Sequence, residues 1–373
     1  MAVYKIFPTK DATIYSRYPV KNTGLDSIIE TTADFSTGTP HVSRYLIQFA
    51  QDEINSIIDS KINGATFQVN LKNYIANIEN LNTDTTLEIY PISGSWNMGT
   101  GRFVNSPEVD NGVSWAYKTY SGSGAWTTSG FETYSTGSYS SVVGGGTWYT
   151  GSSLGLNIVQ SKVYNYNSTK DLNVDVTNTI KTWYSSSEGG LINDGFIIKQ
   201  SSNDEFVASL YKQAKIQFYS IDTNTIYPPE LQFQWDDFSY TTSSAIPTIN
   251  TTQMVVSLDN NPGIFRRDEV HKFKINVRPE FPTRVYQTAS LYTPSNYLPE
   301  TSYYAVKDLS TNEFIFNFND VYTKISADDS DSYFTLYMNG LEPERYYQIL
   351  LKVVLDGEIT ILDSDYYFKV ING

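Results

Sequence analysis

The chain has 373 residues, a formal net charge of −14 and no cysteine. The absence of cysteine excludes disulfides, thiolate catalysis and cysteine-based zinc sites. An excess of acidic residues, with no run of basic ones, argues against a nucleic-acid groove. Aromatic residues make up 15% of the chain, and because they favour pleated strands we expect an all-β protein.

The N-terminal region alternates apolar and polar residues in short runs bounded by turns. In SRYLIQF (43–49), Tyr45, Ile47 and Phe49 fall on one face of a strand. Residues 51–64 instead carry isoleucines at helical spacing and end in a glycine, which predicts a short helix. The strands predicted in this region are 3–7, 11–16, 43–49, 65–76 and 85–93.

Residues 94–155 are the least regular part of the chain and contain four of the six tryptophans. We predict that they form a long insertion carrying short hairpins, and a loop of this length within a compact domain is usually functional. Gly144, Gly145 and Gly146 lack the Lys-Ser/Thr that follows in a phosphate loop, so we expect them at the tip of a hairpin.

A second short helix is predicted within residues 171–200. Val176, Ile180 and Trp183 lie on one helical face, and Asp175 or Thr177 can cap the first turn. We expect this helix to close one end of a β-sandwich with its indole. Strands are predicted to follow at 194–201, 205–211, 214–221 and 229–237.

The C-terminal region begins after a polar Thr/Ser-rich linker at 238–253 and consists of short strands with turns between them. This spacing is typical of a β-sandwich. Leu341, Pro343 and Tyr347 resemble the Leu-Pro-Tyr corner of fibronectin type III domains, which implies that the Tyr hydroxyl bonds back to the backbone. The predicted architecture is therefore two β-sandwich domains, 1–237 with its insertion at 94–155, and 254–373, with one or two short helices.

The N-terminal 236 residues contain a series of motifs in this order: KDATIYSRYPVKNTGLDSIIE, SRYLIQF, NGATFQVNL, LEIYPISGSWN, VDVTNTIKTWY, DGFIIKQ, IQFYS and PPELQFQW. Through them the region resembles the DNRLRE family of β-sandwich domains, although the 94–155 insertion is longer than usual. The resemblance implies a surface or spacer module, and some members of that family bind polysaccharide. It carries over no catalytic residue, because the shared motif is a core motif.

The opening sequence, MAVYKIFPTKDATIYSRYPVKNTGLDSIIE, and the arrangement of two sandwiches are also similar to structural proteins of large tailed-phage virions. This similarity implies a non-enzymatic component of the head, neck, tail or baseplate. Its partners would be other virion proteins, bound in multiple copies or as a homo-oligomer. No secretion signal is visible, so we expect synthesis in the host cytoplasm and residence in the virion.

The aromatic residues of the insertion are the candidate interface, because rigid aromatic side chains dominate protein interfaces. Two alternatives stay open: the indoles pack inside the insertion, or they stack on sugar rings, which makes the chain a polysaccharide-binding module or adhesin for a host-surface glycan. The candidate interface residues are Trp96, Trp115, Tyr117, Tyr120, Trp126, Phe131, Trp148 and Tyr149. The predicted core residues are Val176, Ile180, Trp183, Trp235, Leu341 and Tyr347.

Catalytic chemistry has few residues to draw on. His41 and His271 fall in different predicted domains, so a Ser-His-Asp triad is not expected. Acidic stretches at 109–112, 258–263 and 327–332 could offer oxygen ligands to Ca²⁺, but none matches the twelve-residue calcium loop, and we expect solvated loops there. We predict no enzyme activity, no metal and no cofactor, and with no long apolar run we expect no membrane span.

Overall fold

The computed structural model describes the following residues: 2–35, 41–120, 122–126, 144–150, 157–167, 171–185, 190–206, 213–281 and 295–372. Strands account for 46% of the chain and helices for 9%, which confirms the predicted all-β class. By contacts the chain separates into two compact units. The N-terminal unit comprises Ile6–Gly64 and Gln68–Gln232, and the C-terminal unit comprises Met1–Lys5, Ala65–Phe67 and Phe233–Gly373. The finer limits predicted from the sequence, with a linker at 238–253, stay a prediction.

The strands of the first 235 residues form two larger sheets and one small hairpin. A four-stranded sheet has the order β1-β14-β5-β11, and an eight-stranded sheet has the order β10-β7-β12-β4-β3-β13-β6, with β2 also paired to β4. The strands are β1 (Ala2–Ile6), β2 (Pro8–Tyr15), β3 (Ile28–Asp34), β4 (His41–Phe49), β5 (Phe67–Asn73), β6 (Ile75–Glu79), β7 (Thr85–Pro91), β8 (Tyr117–Tyr120), β9 (Ser123–Ala125), β10 (Gln160–Tyr164), β11 (Leu172–Asp175), β12 (Phe196–Gln200), β13 (Lys215–Tyr219) and β14 (Glu230–Trp235).

One face of the eight-stranded sheet points into the sandwich. Tyr45 of β4 packs against Phe218 of β13 with ring centroids 5.6 Å apart. Its hydroxyl accepts a hydrogen bond at 2.7 Å from Nδ2 of Asn73, which belongs to β5 in the other sheet. The face predicted from Tyr45, Ile47 and Phe49 is therefore the inner one, and all three side chains are buried.

Two helices lie where the sequence predicts them. Helix α1 (Gln51–Ile57) continues into a π-helical turn (Ile58–Ile62) and ends at Asn63, which takes a left-handed conformation. Helix α2 (Thr177–Tyr184) buries Ile180 and Trp183, and the Trp183 ring lies 4.7 Å from that of Phe196 on the inner face of the sheet. The predicted helix and the burial of its indole are confirmed, while the closing of one end of the sandwich stays a prediction.

Of the two predicted capping residues at the start of α2, only Asp175 accepts a hydrogen bond from a backbone amide of the helix. Oδ1 of Asp175 accepts the backbone amide of Thr177 at 2.9 Å, and so satisfies one of the helix's unpaired donors. The Thr177 hydroxyl instead accepts the amide of Val69 at 2.8 Å, which ties the helix to β5. Val176, the third predicted core residue of this segment, is buried.

The strand predicted at 205–211 is wrong at its start. Ser202–Phe206 form a short helix, α3, and residues 207–212 lie outside the described residues. The reason is a local capping pair: the Ser201 hydroxyl donates to Asp204 Oδ2 at 2.7 Å and accepts the Asp204 amide at 3.3 Å. Such a pair starts a helix, and its short sequence is easily mistaken for a strand.

The C-terminal unit is a β-sandwich, as predicted. One sheet has the order β15-β17-β21-β20 and the other β16-β23-β22-β18-β19. Their facing sides share one apolar core that contains Phe273, Phe334, Tyr304 and Leu351. The strands are β15 (Met254–Leu258), β16 (Ile264–Arg266), β17 (Val270–Pro279), β18 (Ser302–Asp308), β19 (Phe314–Phe316), β20 (Ser326–Ala327), β21 (Ser332–Tyr337), β22 (Arg345–Leu355) and β23 (Glu358–Ile371).

The tyrosine corner predicted before β22 is present. The Tyr347 hydroxyl donates to the carbonyl oxygen of Glu342 at 2.8 Å, and burial raises the pKa of this phenol. Leu341 is buried beside it, after a 3₁₀ turn at Met338–Gly340. Trp235 is also buried, with its ring 5.2 Å from that of Tyr337. All six residues predicted to be structural core are therefore buried.

Candidate functional site

Part of the outer face of the eight-stranded sheet, on β2, β4 and β12, is covered by Trp96, Trp115, Trp126, Trp148 and the described residues around them, here called the tryptophan-rich segment, so the sheet is buried on both sides there. On β4, Arg44 and Leu46 point away from the sandwich interior, yet both are fully buried. In register with Leu46 lie Ala12 on β2 and Ile197 on β12, which extends an apolar strip across three strands. The sequence pattern alone would place this face in solvent.

The four tryptophans of the segment form a second core on this strip. Trp96, Trp115, Trp126 and Trp148 are at most 4% exposed. They cluster with Ala12, Ile14, Val42, Leu46, Ile92, Val113, Ile197 and Phe206. Removing aromatic surface of this size from water is a large favourable term, so the segment is held to the sheet mainly by burial.

A buried ion pair lies at the centre of this second core. Arg44 Nε donates to Glu205 Oε1 at 3.0 Å and Nη2 donates to Oε2 at 2.7 Å, and both side chains are fully buried. The Arg44 guanidinium lies 5.0 Å from the Trp115 ring centroid and 5.3 Å from that of Trp148. Two-point pairing and the indole faces compensate the charge where water is excluded.

The glycine triplet brings the backbone of the segment against this pair. The Gly145 carbonyl accepts Arg44 Nη1 at 2.5 Å. Gly144, Gly145 and Gly146 are buried, so the prediction of a hairpin tip is wrong. A Cβ on Gly145 would lie 2.7 Å from Arg44 Nη1 and 2.7 Å from a ring carbon of Trp115. Only glycine allows this close approach, and Gly145 also has a φ of +93°.

Asn22 holds the first part of the segment in place. Its Nδ2 donates to the carbonyls of Met98 at 2.7 Å and Val113 at 2.9 Å. Its Oδ1 accepts the amide of Gly101 at 2.8 Å. The buried side-chain amide of Asn22 therefore connects two parts of the loop, one at Met98–Gly101 and one at Val113, which are not in β-strands.

A lysine on the same face anchors the start of the segment. Lys10 Nζ donates to the carbonyl of Trp96 at 2.5 Å and lies 4.5 Å from the centroid of the same indole. Burial lowers the pKa of Lys10, while Asp194 opposes this effect. The Trp96 Nε1 donates to the Asp194 carbonyl at 2.8 Å, so both ends of this indole are fixed.

The predicted interface residues are therefore divided. The four tryptophans are buried core residues, so their indoles offer no surface to a partner or to a sugar ring. Tyr117 and Tyr149 are half-buried, and Tyr120, in the β8–β9 hairpin, is 54% exposed. Phe131 lies outside the described residues.

Arg44, Glu205, Asn22 and Lys10 were not singled out from the sequence. The signal that could have found the second core is the apolar run Phe196-Ile197-Ile198 of β12, which leaves no face for solvent, whereas β4 alternates and gives no such sign. The residues that meet there are far apart in the chain: Arg44 and Glu205 are separated by 161 positions. No periodicity rule pairs residues over that distance.

The residues considered for metal or catalytic roles have structural partners. Asp328 and Asp331, from the acidic stretch 327–332, pair with Lys272 at 2.7 Å and Lys274 at 2.8 Å. His271 contacts the carbonyl of Asn260 at 2.7 Å. Within the described ranges, no group of three or more His, Cys, Asp or Glu side chains is arranged to hold a metal ion.

Asp11 is a buried carboxyl with an unusual environment. Its Oδ2 accepts the amide of Ile221 at 2.7 Å, while its buried Oδ1 has no hydrogen-bond partner. Burial raises the pKa of Asp11 to about 8, and the nearby carboxylates of Asp222 and Asp26 act in the same direction. The group lies on the inner face of β2 and holds the loop that follows β13.

Of the helices in the described part of the chain, none is long and apolar enough to cross a membrane. No protein-family model matches the sequence, and no curated protein is significantly similar to it. The resemblances drawn from its motifs thus stay predictions.

Proposed function

We propose that this chain is a non-enzymatic structural protein of a tailed-phage virion, acting through protein–protein interfaces in multiple copies. Its sequence motifs suggest a virion protein, and the packing of its N-terminal unit supports a structural role. The observation that carries the proposal is the second core: four tryptophans and a buried ion pair fix the tryptophan-rich segment on the outer face of the sheet.

This arrangement favours a mechanical role. A sheet covered on both faces resists shear and local opening, because moving the segment would expose indoles and an unpaired Arg44 charge together. A body that must keep its shape inside a large assembly has a use for such stiffness. The buried charged groups at this site bind one another and the backbone, so they contribute to rigidity.

Exposed apolar residues provide the surface for contacts. Val104, in the middle of the loop that Asn22 holds, is 82% exposed, and Ile192 is 68% exposed. Tyr120 is exposed on the hairpin of the same segment. Single residues of this kind are common on any surface, but partly exposed aromatic and apolar groups on a rigid loop suit an interface anchor.

The polysaccharide-binding alternative loses its main support. Stacking on a sugar requires an accessible aromatic face, and the four indoles are occupied by the core. A glycan would have to use Tyr120 or its neighbours instead.

Detection of the protein in particles tests the proposal. An antibody raised against the purified full chain is applied to density-purified phage particles, and label-free mass spectrometry gives its copy number relative to the major capsid protein. We expect a fixed stoichiometric ratio that survives high-salt washing. Absence from the particles, combined with retention on a glycan column, would overturn the structural role in favour of carbohydrate binding.

A further inference from the structure

In the part of the chain that the structure describes, the first half of β23 lies at an unpaired edge of the five-stranded sheet in the C-terminal unit. On one side, β22 pairs with β23 along its length. On the other side, β16 pairs only with Lys369–Ile371 at the far end. Among the residues that the structure describes, no strand pairs with the outer side of Glu358–Asp363.

Such an edge presents backbone groups that can bind another strand. In an antiparallel pair, every second residue directs its amide and carbonyl away from its neighbour. Proteins usually protect such edges with proline, lysine or a covering loop. The sequence EITILD at 358–363 contains neither proline nor lysine, and its alternation favours an extended conformation.

Two isoleucines accompany the free backbone. Ile359 and Ile361 are 63% and 58% exposed. They lie opposite Val354 and Lys352 of β22, on the side of the sheet that faces away from the core. Leu362, the residue after Ile361, packs against the core instead. An added strand could therefore gain side-chain contacts as well as backbone hydrogen bonds.

The charges around this edge decide which partner fits. Asp356 and Glu358 lie at its start, and Asp363 and Asp365 lie at its end. The nearest cation by register is Lys352, which lies opposite Ile361 on the neighbouring strand β22. Its Nζ lies 4.3 Å from the Tyr303 ring centroid. A second copy would bring the same acidic groups to the edge and be repelled, whereas a basic segment would be attracted.

We propose that the edge Glu358–Asp363 binds an extended segment of another protein by strand addition, and that this segment alternates apolar residues with lysine or arginine. The inference rests on the proposed function for its expectation of a protein partner. It goes further by naming the surface and the chemistry of that partner. Main-chain bonds would supply affinity, and the isoleucines and acidic residues would supply selectivity.

A synthetic peptide tests the edge directly. The probe is an acetylated, amidated and dye-labelled peptide in which isoleucine alternates with lysine and threonine, and its control carries glutamate in place of lysine. Binding to the full chain is measured by fluorescence anisotropy. We expect the basic peptide to bind at least about tenfold more tightly at about 50 mM salt, and this advantage to shrink at about 500 mM salt.

Variants locate the binding. The double variant Ile359→Lys, Ile361→Lys should weaken binding of the basic peptide at least about tenfold, since it removes the apolar contacts and adds charge of the same sign as the peptide's. Ile192→Lys is the matched control and should leave binding unchanged, because Ile192 is similarly exposed but lies in the N-terminal unit. Hydrogen exchange should slow at 358–363 when the peptide is bound.

Three outcomes would overturn the inference: equal binding by the two peptides, no binding up to about 1 mM, or protection from exchange at a different strand. Self-association of the full chain that is abolished by Ile361→Asp would assign the edge to a second copy instead. Failure of the peptide assay leaves detection in particles untouched, so the inference and the proposed function can fail separately.

Discussion

Arg44 on β4 and Glu205 on α3 form a two-point ion pair that is fully buried under the tryptophan-rich segment. The pair connects the sheet to α3, and the carbonyl of Gly145 accepts a further hydrogen bond from Nη1 of the guanidinium. Removing water from both charges is costly, and it is compensated only while all the partners are in place. The pair is therefore a sensitive indicator of whether the segment is docked.

Glu205→Ala should destabilise the N-terminal unit by about 3–5 kcal/mol, because it leaves the Arg44 charge buried and unpaired. Urea unfolding followed by tryptophan fluorescence measures this, since five of the six tryptophans belong to that unit. Arg44→Met combined with Glu205→Leu should recover most of the loss. Lys215→Ala, which breaks a partly exposed pair with Glu30, is the control and should cost less than about 1 kcal/mol. Equal losses from Glu205→Ala and Lys215→Ala would contradict the role given to the buried pair.

Gly145→Ala should be more harmful than an ordinary glycine substitution. The new Cβ would clash with Arg44 and the Trp115 ring and would also occupy a left-handed conformation. Gly122→Ala is the matched control, because Gly122 has a φ of +85° but open space around it. We expect a cost of about 1 kcal/mol for the control and at least about 2 kcal/mol more for Gly145→Ala, measured by the same unfolding assay. Similar costs would show that the packing at Gly145 yields easily.

Asn22→Ala should loosen the loop between Met98 and Val113. It removes two donors and one acceptor that pair with backbone groups of that loop, at about 1 kcal/mol for each hydrogen bond. Hydrogen exchange measured by mass spectrometry should become faster at Gly101 and Val113, while β4 stays protected. Asn111→Ala, which breaks a similar bond to Thr100 on the exposed side, should leave the exchange of Val113 unchanged. Faster exchange throughout β4 would mean that the loop and the sheet open together.

Asp11→Asn should remove a component of the pH dependence of stability. The pKa of Asp11 is about 8 in the folded protein, above its ordinary value of 3.8, so the folded state holds one more proton between these limits. The stabilisation that protonated Asp11 contributes to the free energy of unfolding is therefore fully present below about pH 4, falls as the pH rises, and is lost above about pH 8.

Asparagine imitates the protonated carboxyl and does not titrate. The free energy of unfolding of Asp11→Asn should thus be close to that of the parent protein near pH 4 and exceed it near pH 8. Chemical denaturation of both proteins across this pH range gives the difference between their free energies of unfolding. Asp26 and Asp222 titrate in both proteins, so their contributions cancel from this difference to first order. Parallel curves for the two proteins would refute the assignment.

Short-range patterns in the sequence predict several parts of this fold correctly. Helix α2, with Ile180 and Trp183 on its buried face, follows from helical spacing, and the Tyr347 corner follows from a local motif. The β4 strand follows from alternation, which also identifies its inner face. These features depend on residues within a few positions of each other, where local geometry decides the outcome.

The second core could not be obtained in the same way. Alternation assigns one face of a strand to solvent unless another segment covers it, and nothing local to Leu46 shows that Trp96, Trp115, Trp126 and Trp148 do so. The glycine triplet was misread for the same reason, since a flexible turn and a close backbone approach need the same residue type. The tryptophans were predicted as interface residues, but the structure buries all four, because the abundance of tryptophan in a segment does not distinguish a core from a surface.

Asn22 contacts residues 76 and 91 positions further along the chain, and Arg44 meets Glu205 after 161 positions. Contacts between such distant residues form late, because a large loop must close before they contribute any stability. The chain should therefore refold slowly, with its indoles still accessible to quenchers after the strands have paired. Under the proposed role, assembly partners that bind only the fully folded surface would then bind after this last folding step. Chains whose tryptophans are not yet packed on the sheet would not be incorporated.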